Sequence, residues 1–146
     1  MVEFLSFRDG DAGQEPAVTV EAFTGQSNAT AVRIEPSDDA RELLPYLDRI
    51  SMIEVNFPGF GDGRGYSAAR ILREAGYVGE LRAVGDVLVD QIVAMRRCGF
   101  DSFHPDKALD DDAVARALDR YQDVYQKTTD GRSPIWAKRH PEPADG

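Results

Sequence analysis

Ser51-Met52-Ile53-Glu54-Val55-Asn56-Phe57, the glycine-dense Pro58-Gly59-Phe60-Gly61-Asp62-Gly63-Arg64-Gly65-Tyr66-Ser67 and the later Glu80-Leu81-Arg82-Ala83-Val84-Gly85-Asp86 decide the fold. Two apolar runs of strand length bracket a loop and a helix-like segment, the pattern of a βαβ unit and hence of a parallel sheet. Four glycines fall within residues 59–65. Such a loop persists where the chain must take positive φ or pass close to something, which makes it a place to look for a site.

Upstream, Ala31 to Glu35 reads as a strand. Pro36-Ser37-Asp38-Asp39 offers a break and N-cap candidates for a helix over residues 40–48, with Leu43, Leu44 and Leu47 as its apolar stripe. Downstream, Ser67 is expected to cap a helix over residues 68–75 that Gly76 stops at its C′ position. Asp86 is expected to cap a helix over residues 87–97, buried through Leu88, Ile92 and Met95, widened by Val89 and Val93, and ended by Gly99. Residues 100–103 form a further strand candidate. A last helix is expected from Asp110 to about Lys127, with Val114, Leu118, Tyr121 and Tyr125 on one side.

Four successive strand–helix units predict an α/β fold with a small parallel sheet, either an open three-layer sheet or half of a (β/α)₈ barrel. In both, loops after the strand C-terminal ends share one face, so the glycine loop and Gly85-Asp86 belong together. Residues 1–30 read as a short N-terminal β and loop segment, with strands near Phe4 to Phe7 and Ala17 to Phe23 around a turn at Asp9-Gly10-Asp11-Ala12-Gly13. The βα-repeat domain spans 31–127. Residues 128–146, with three prolines and no period, read as an extended tail in which Trp136 is a docking point.

The composition narrows the function classes. With 146 residues and 42% hydrophobic content the chain suits one core. Its 17 Lys plus Arg against 26 Asp plus Glu give a formal charge of −9, which argues against a nucleic-acid binder, since those need a clustered basic face. The single cysteine, Cys98, leaves no internal disulfide, CxxC pair or multi-cysteine cluster, and is expected to be a small buried residue. No basic n-region and no run of 18 apolar residues is present, so a soluble, cytoplasmic protein with no membrane partner is expected. A small sheet also has edges to cover, which suggests a homo-oligomer.

The glycine loop fails the nucleotide fingerprints: G-x-G-x-x-G begun at Gly59 ends on Arg64, begun at Gly61 it ends on Tyr66, and no G-x-x-x-x-G-K-[ST] occurs. No cofactor is indicated by motif. A turn and a helix N-terminus carrying Arg64 and Ser67 could hold an anion, or Arg64 could pair with Asp62. Strand alternation puts Leu81 and Ala83 on one face and Arg82 and Val84 on the other. A buried Arg82 needs either a structural acid, such as Glu54 or Asp86, or a ligand. Asp86 and Asp90 lie one turn apart, a spacing open to a metal or acid–base pair as well as to a cap plus a solvated acid. His104 and His140 lie in no metal-binding arrangement. The candidate anion- or partner-binding set is Asp62, Gly63, Arg64, Gly65, Ser67, Arg82 and Asp86.

Phe57-Pro58 through Asp62-Gly63-Arg64-Gly65-Tyr66-Ser67, Ala69-Arg70, Leu72-Arg73, Gly79 through Leu88, Asp90-Gln91, Arg97-Cys98-Gly99-Phe100-Asp101 and Tyr125-Gln126 together resemble a bacterial family, domain-of-unknown-function family 934. Its members are typically encoded beside assimilatory sulfite reductase and labelled probable oxidoreductases in sulfite reduction. The resemblance spans about residues 31–126. It implies a role in sulfur assimilation: an accessory or binding protein with sulfite reductase as partner or, alternatively, an oxidoreductase using a borrowed flavin or a partner's cofactor. Where relatives commonly carry a basic residue and a threonine before Asp-Gly-Arg-Gly, this chain has Gly59 and Gly61.

Overall fold

The computed structural model describes residues 1–8, 16–26, 28–59 and 63–120. Six strands form one sheet: β1 (Leu5–Ser6), β2 (Val18–Thr19), β3 (Ala31–Ile34), β4 (Met52–Phe57), β5 (Glu80–Gly85) and β6 (Ser102–Pro105), in the spatial order β1-β6-β5-β4-β3-β2. All neighbours pair in parallel except β1, which runs antiparallel to β6. From β2 to β6 the spatial order is the chain order. Right-handed crossovers between consecutive parallel strands return on the same side, so this is the strand order of a half barrel rather than of a three-layer sheet wound both ways.

The connections are α1 (Val20–Gln26), a 3₁₀ helix (Ala40–Arg49), α2 (Arg64–Glu74) and α3 (Val89–Cys98), with α4 (Asp111–Arg120) after the last strand. Their apolar residues meet one face of the sheet. Val32, Ile53, Val55, Phe57, Leu81, Ala83 and Phe103 share a core with Phe23, Leu43, Ala69, Leu72, Ile92, Met95, Val114 and Leu118. At Gly65 the helix rides so close that a Cβ would sit 2.5 Å from the Phe57 ring. The opposite face carries one rank of polar residues across all six strands, Thr19, Arg33, Glu54, Arg82, Ser102 and Ser6, each opposite the next in register.

The strands of the repeat lie where the apolar runs place them, and the helix stops hold. Gly76 and Gly99 take φ of 100° and 116°, the left-handed conformation that ends a helix with little strain only at glycine. Several starts differ. α2 begins at Arg64 behind Gly63, so Ser67 lies inside its first turn rather than capping it. The close seat of Gly65 and the edge-on contact of Tyr66 with Phe57, 5.6 Å between ring centroids, draw these residues into the helix. Asp86 precedes α3 without capping it; the Gln91 side chain accepts the Leu88 N–H instead, at 3.0 Å.

The segment over residues 40–48 is helical but 3₁₀, with Asp39 as its cap accepting the Arg41 N–H and Pro45 inside. Proline has no N–H to give an α-helical ladder. Residues 17–23, expected as strand, split into two-residue β2 and helix α1, where Thr19 Oγ1 accepts the Ala22 N–H and Val20 and Phe23 are buried three apart. The two N-terminal strands occupy opposite edges of the sheet instead of pairing with each other. Both edges are two residues long, one of the ways an open sheet avoids templating another chain. α4 is described to Arg120, with Val114 and Leu118 buried; Tyr121, Tyr125, His140 and the tail with Trp136 lie outside the described residues. Among the described residues no helix is long and apolar enough to cross a membrane.

Candidate functional site

At the C-terminal ends of the strands the backbone brings β4, β5 and β6 together through Gly85. Its carbonyl accepts the N–H groups of Val87 and Asp106, while the Asp86 N–H reaches the Phe57 carbonyl at 2.7 Å. Gly85 has φ of 94°, and a Cβ there would meet Phe57 O at 2.5 Å and Asn56 Oδ1 at 2.6 Å. Only glycine fits this junction. It holds the Gly85-Asp86 loop beside the end of β4, from which the chain leads to α2.

α2 opens on this face. Its N-cap, Gly63, contributes no side-chain hydrogen bond to the first turn, and Gly63, Arg64 and Ser67 are exposed while Gly65 is buried. A helix start without a side-chain cap carries N–H groups and partial positive charge, the elements of an anion site. Asp62 lies outside the described residues. Asp86 is half-buried at the same end.

Arg82 does not join them. It lies in mid-strand on the face opposite the core, whereas α2 sits on the core face, so Arg64 and Arg82 are on opposite sides of the sheet. Its acid among the described residues is Glu80, two positions earlier on the same strand face. Nη2 and Nε approach Glu80 Oε2 at 2.8 and 3.3 Å, and Ser102 Oγ donates to the same oxygen at 2.6 Å. The Phe4 ring covers the guanidinium at 4.8 Å. Glu80 and Arg82 are 5% and 8% exposed, so pair, hydroxyl and ring form a buried structural unit. Glu54, expected as a candidate partner, binds Arg33 at 3.0 Å.

Sequence reasoning also passed over polar residues at the strand ends. Asn56 Nδ2 donates to Glu35 Oε1 at 2.8 Å, and Asn56 stands in register with Val84 and then exposed His104. The two-residue parity that put Arg82 opposite the core places Asn56 and His104 on the same face, but only known register shows that they line up.

The N-terminal ends of the strands differ in kind. Asp101 accepts Arg8 Nη1 at 2.8 Å and Arg73 Nη2 at 3.1 Å on Oδ2, and the Leu81 N–H at 3.0 Å on Oδ1. Burial lifts its pKa above the usual carboxylate range, against the downward pull of Arg8 and Arg73. Arg73 commits all five N–H groups: two to Gly99 O, one each to Tyr77 O and Gly79 O, and one to Asp101. Arg73, Gly79, Gly99 and Asp101, all part of the family resemblance, thus build the lower end of the sheet.

The chain matches the family described as Bacterial protein of unknown function (DUF934) over residues 31–136. Neither the curated proteins nor the solved structures yield a match.

Proposed function

The chain belongs to the DUF934 family, and on that premise we propose that it is an accessory or binding protein of assimilatory sulfite reduction, with its binding face at the C-terminal ends of the parallel strands. One observation carries the placement: the N-terminus of α2, without a side-chain cap and with Arg64 and Ser67 exposed, opens beside the Gly85-Asp86 junction. In parallel α/β sheets ligands gather at this end. The pathway assignment rests on the sequence resemblance.

The face consists of Gly63, Arg64, Gly65, Ser67 and Asp86. Arg82, buried against Glu80, Ser102 and Phe4, serves the architecture. Two charged groups of opposite sign at the rim, Arg64 and Asp86, suit a partner surface as well as an anion. Titration with sulfite, sulfate and phosphate, together with pull-down of sulfite reductase, tests the proposal. A response in at least one that weakens on Arg64→Ala is expected, and silence in all four would sink it. An absorbance spectrum with a flavin band, before or after flavin addition, would favour the oxidoreductase reading instead.

A further inference from the structure

The other end of the sheet carries an apolar groove and a cationic cluster, joined by hydrogen bonds. The groove, about 620 Å³, lies between the 3₁₀ helix and the turn after α2; Leu44, Pro45, Leu47, Tyr77 and Val78 line it, and Asp48 is the one charged residue in its wall. Val78 is 84% exposed at its edge. A large apolar side chain left open beside a groove walled mainly by apolar side chains is the pattern of a docking surface rather than of scattered surface apolarity.

The cationic part surrounds Asp101. Three guanidiniums, Arg8, Arg73 and Arg96, act on this carboxylate. Glu80 also acts on Arg8, but its carboxylate holds Arg82 and Ser102. Arg73 is saturated, whereas Arg8 commits one N–H, to Asp101, and Arg96 one, to Phe100 O at 3.1 Å. Arg96 stacks on Phe7 at 4.4 Å, and its Nε is buried without an acceptor. Around Asp101, among the described residues, donors thus outnumber acceptors and positive charge exceeds negative, on a chain whose formal charge is −9. Arg73 ties the two parts together: Nη1 binds the Tyr77 and Gly79 carbonyls in the groove wall, and Nη2 binds the carboxylate that holds Arg8.

We propose that this end of the sheet docks a segment of a partner protein that combines apolar and acidic side chains, the apolar ones entering the groove beside Val78 and the carboxylates meeting Arg8 and Arg96. Charge complementarity selects the acidic partner at the cluster: the N–H groups of Arg8 and of the Arg96 terminal nitrogens not committed to Asp101 and Phe100 O fit carboxylates, while Asp48 in the groove wall leaves the groove itself to the apolar side chains. This surface lies opposite the α2 face and is independent of the function proposed for it.

The full-length chain is titrated by fluorescence anisotropy against a labelled ten-residue peptide of leucine and aspartate and against its twin with lysine for aspartate. The aspartate peptide is expected to bind about tenfold or more tightly than the lysine peptide, a difference of about 1.4 kcal/mol, and to weaken with added salt. Val78→Asp and Arg8→Glu should each weaken it about tenfold, while Arg64→Ala, at the other end, leaves it unchanged. Should Arg8→Glu disturb folding by circular dichroism, Arg8→Ala takes its place with an expected loss of about threefold. Equal binding of the two peptides, no binding of either, or no loss in a folded Val78→Asp chain overturns the proposal. Self-association that Val78→Asp abolishes would assign the groove to a second copy and overturn it as well.

Discussion

The two ends of the sheet are built on opposite terms. At the N-terminal end side chains bind backbone: Arg73 fastens the loops that lead into β5 and β6, and Asp101 fastens Arg8 beyond β1, Arg73 of α2 and Leu81 of β5 to one carboxylate. At the C-terminal end backbone binds backbone through Gly85, and the side chains of the α2 start are left at the surface. The difference teaches where substitution should cost stability and where it should cost only recognition. Side chains that satisfy buried carbonyls and guanidiniums cannot be removed without leaving charges unpaired. Exposed side chains over a rigid backbone cost folding far less when removed.

Asp101→Ala should show the largest effect. It strips the carboxylate from Arg8 and Arg73 and the acceptor from Leu81 N–H, and is expected to cost about 3–5 kcal/mol, read as a lower midpoint in urea unfolding. A chain that unfolds at the unchanged midpoint would break the contrast. Gly85→Ala tests the other end's backbone. Positive φ and contact with Phe57 O should cost about 1–3 kcal/mol, and a smaller loss would show that the junction relaxes.

Tyr77 provides a pH test of the lower end. Its hydroxyl reaches the Ile50 and Glu80 carbonyls at 3.2 and 3.4 Å, and burial, the largest influence, pushes its pKa well above the usual phenol range. The native chain therefore holds this proton more tightly than the unfolded chain. The associated stability is fully present below about pH 10, where an unfolded tyrosine ionises, and is lost as the pH rises further. Ultraviolet titration should show Tyr77 ionising only with unfolding, and Tyr77→Phe should cost about 1 kcal/mol. A phenol that ionises in the folded chain with the others would count against a sealed lower end. The smallest effect on folding belongs to Arg64→Ala and Ser67→Ala, expected within about 0.5 kcal/mol of the parent. Stability kept with anion or partner binding lost would separate recognition at this end from folding at the other, whereas unfolding would show that the two ends are alike.

The parallel sheet was legible because β4 and β5 are apolar runs flanked by turn residues, and because Gly76 and Gly99 stand one step beyond periodic segments. What local pattern could not supply was decided by tertiary contact. Val18 to Phe23 is rich in strand formers, yet burial of Val20 and Phe23 on one side makes most of it helix. Ser67 looks like a cap until Gly65 is seen against Phe57. Arg82 was rightly assigned to the face opposite Leu81, but its partner could have been any acid that register brought near, and Glu80 lies on its own strand. The groove beside Val78 joins residues from two separate segments, so no window of sequence contains it.

The placing of β1 also bears on the order in which the chain can fold. From β2 onward each strand docks beside the one made just before it, so the parallel sheet can grow by short-range closures as the polypeptide lengthens. Leu5 and Ser6 pair only with Phe103 and Ser102, near the far end of the described chain. Of the described strands the earliest in the chain is thus the last that can find its place, and that pairing carries the greatest loop-closure entropy in the sheet. Until Asp101 emerges, Arg8 lacks the carboxylate it binds in the folded chain, and assembly of the lower end waits on the completion of the sheet.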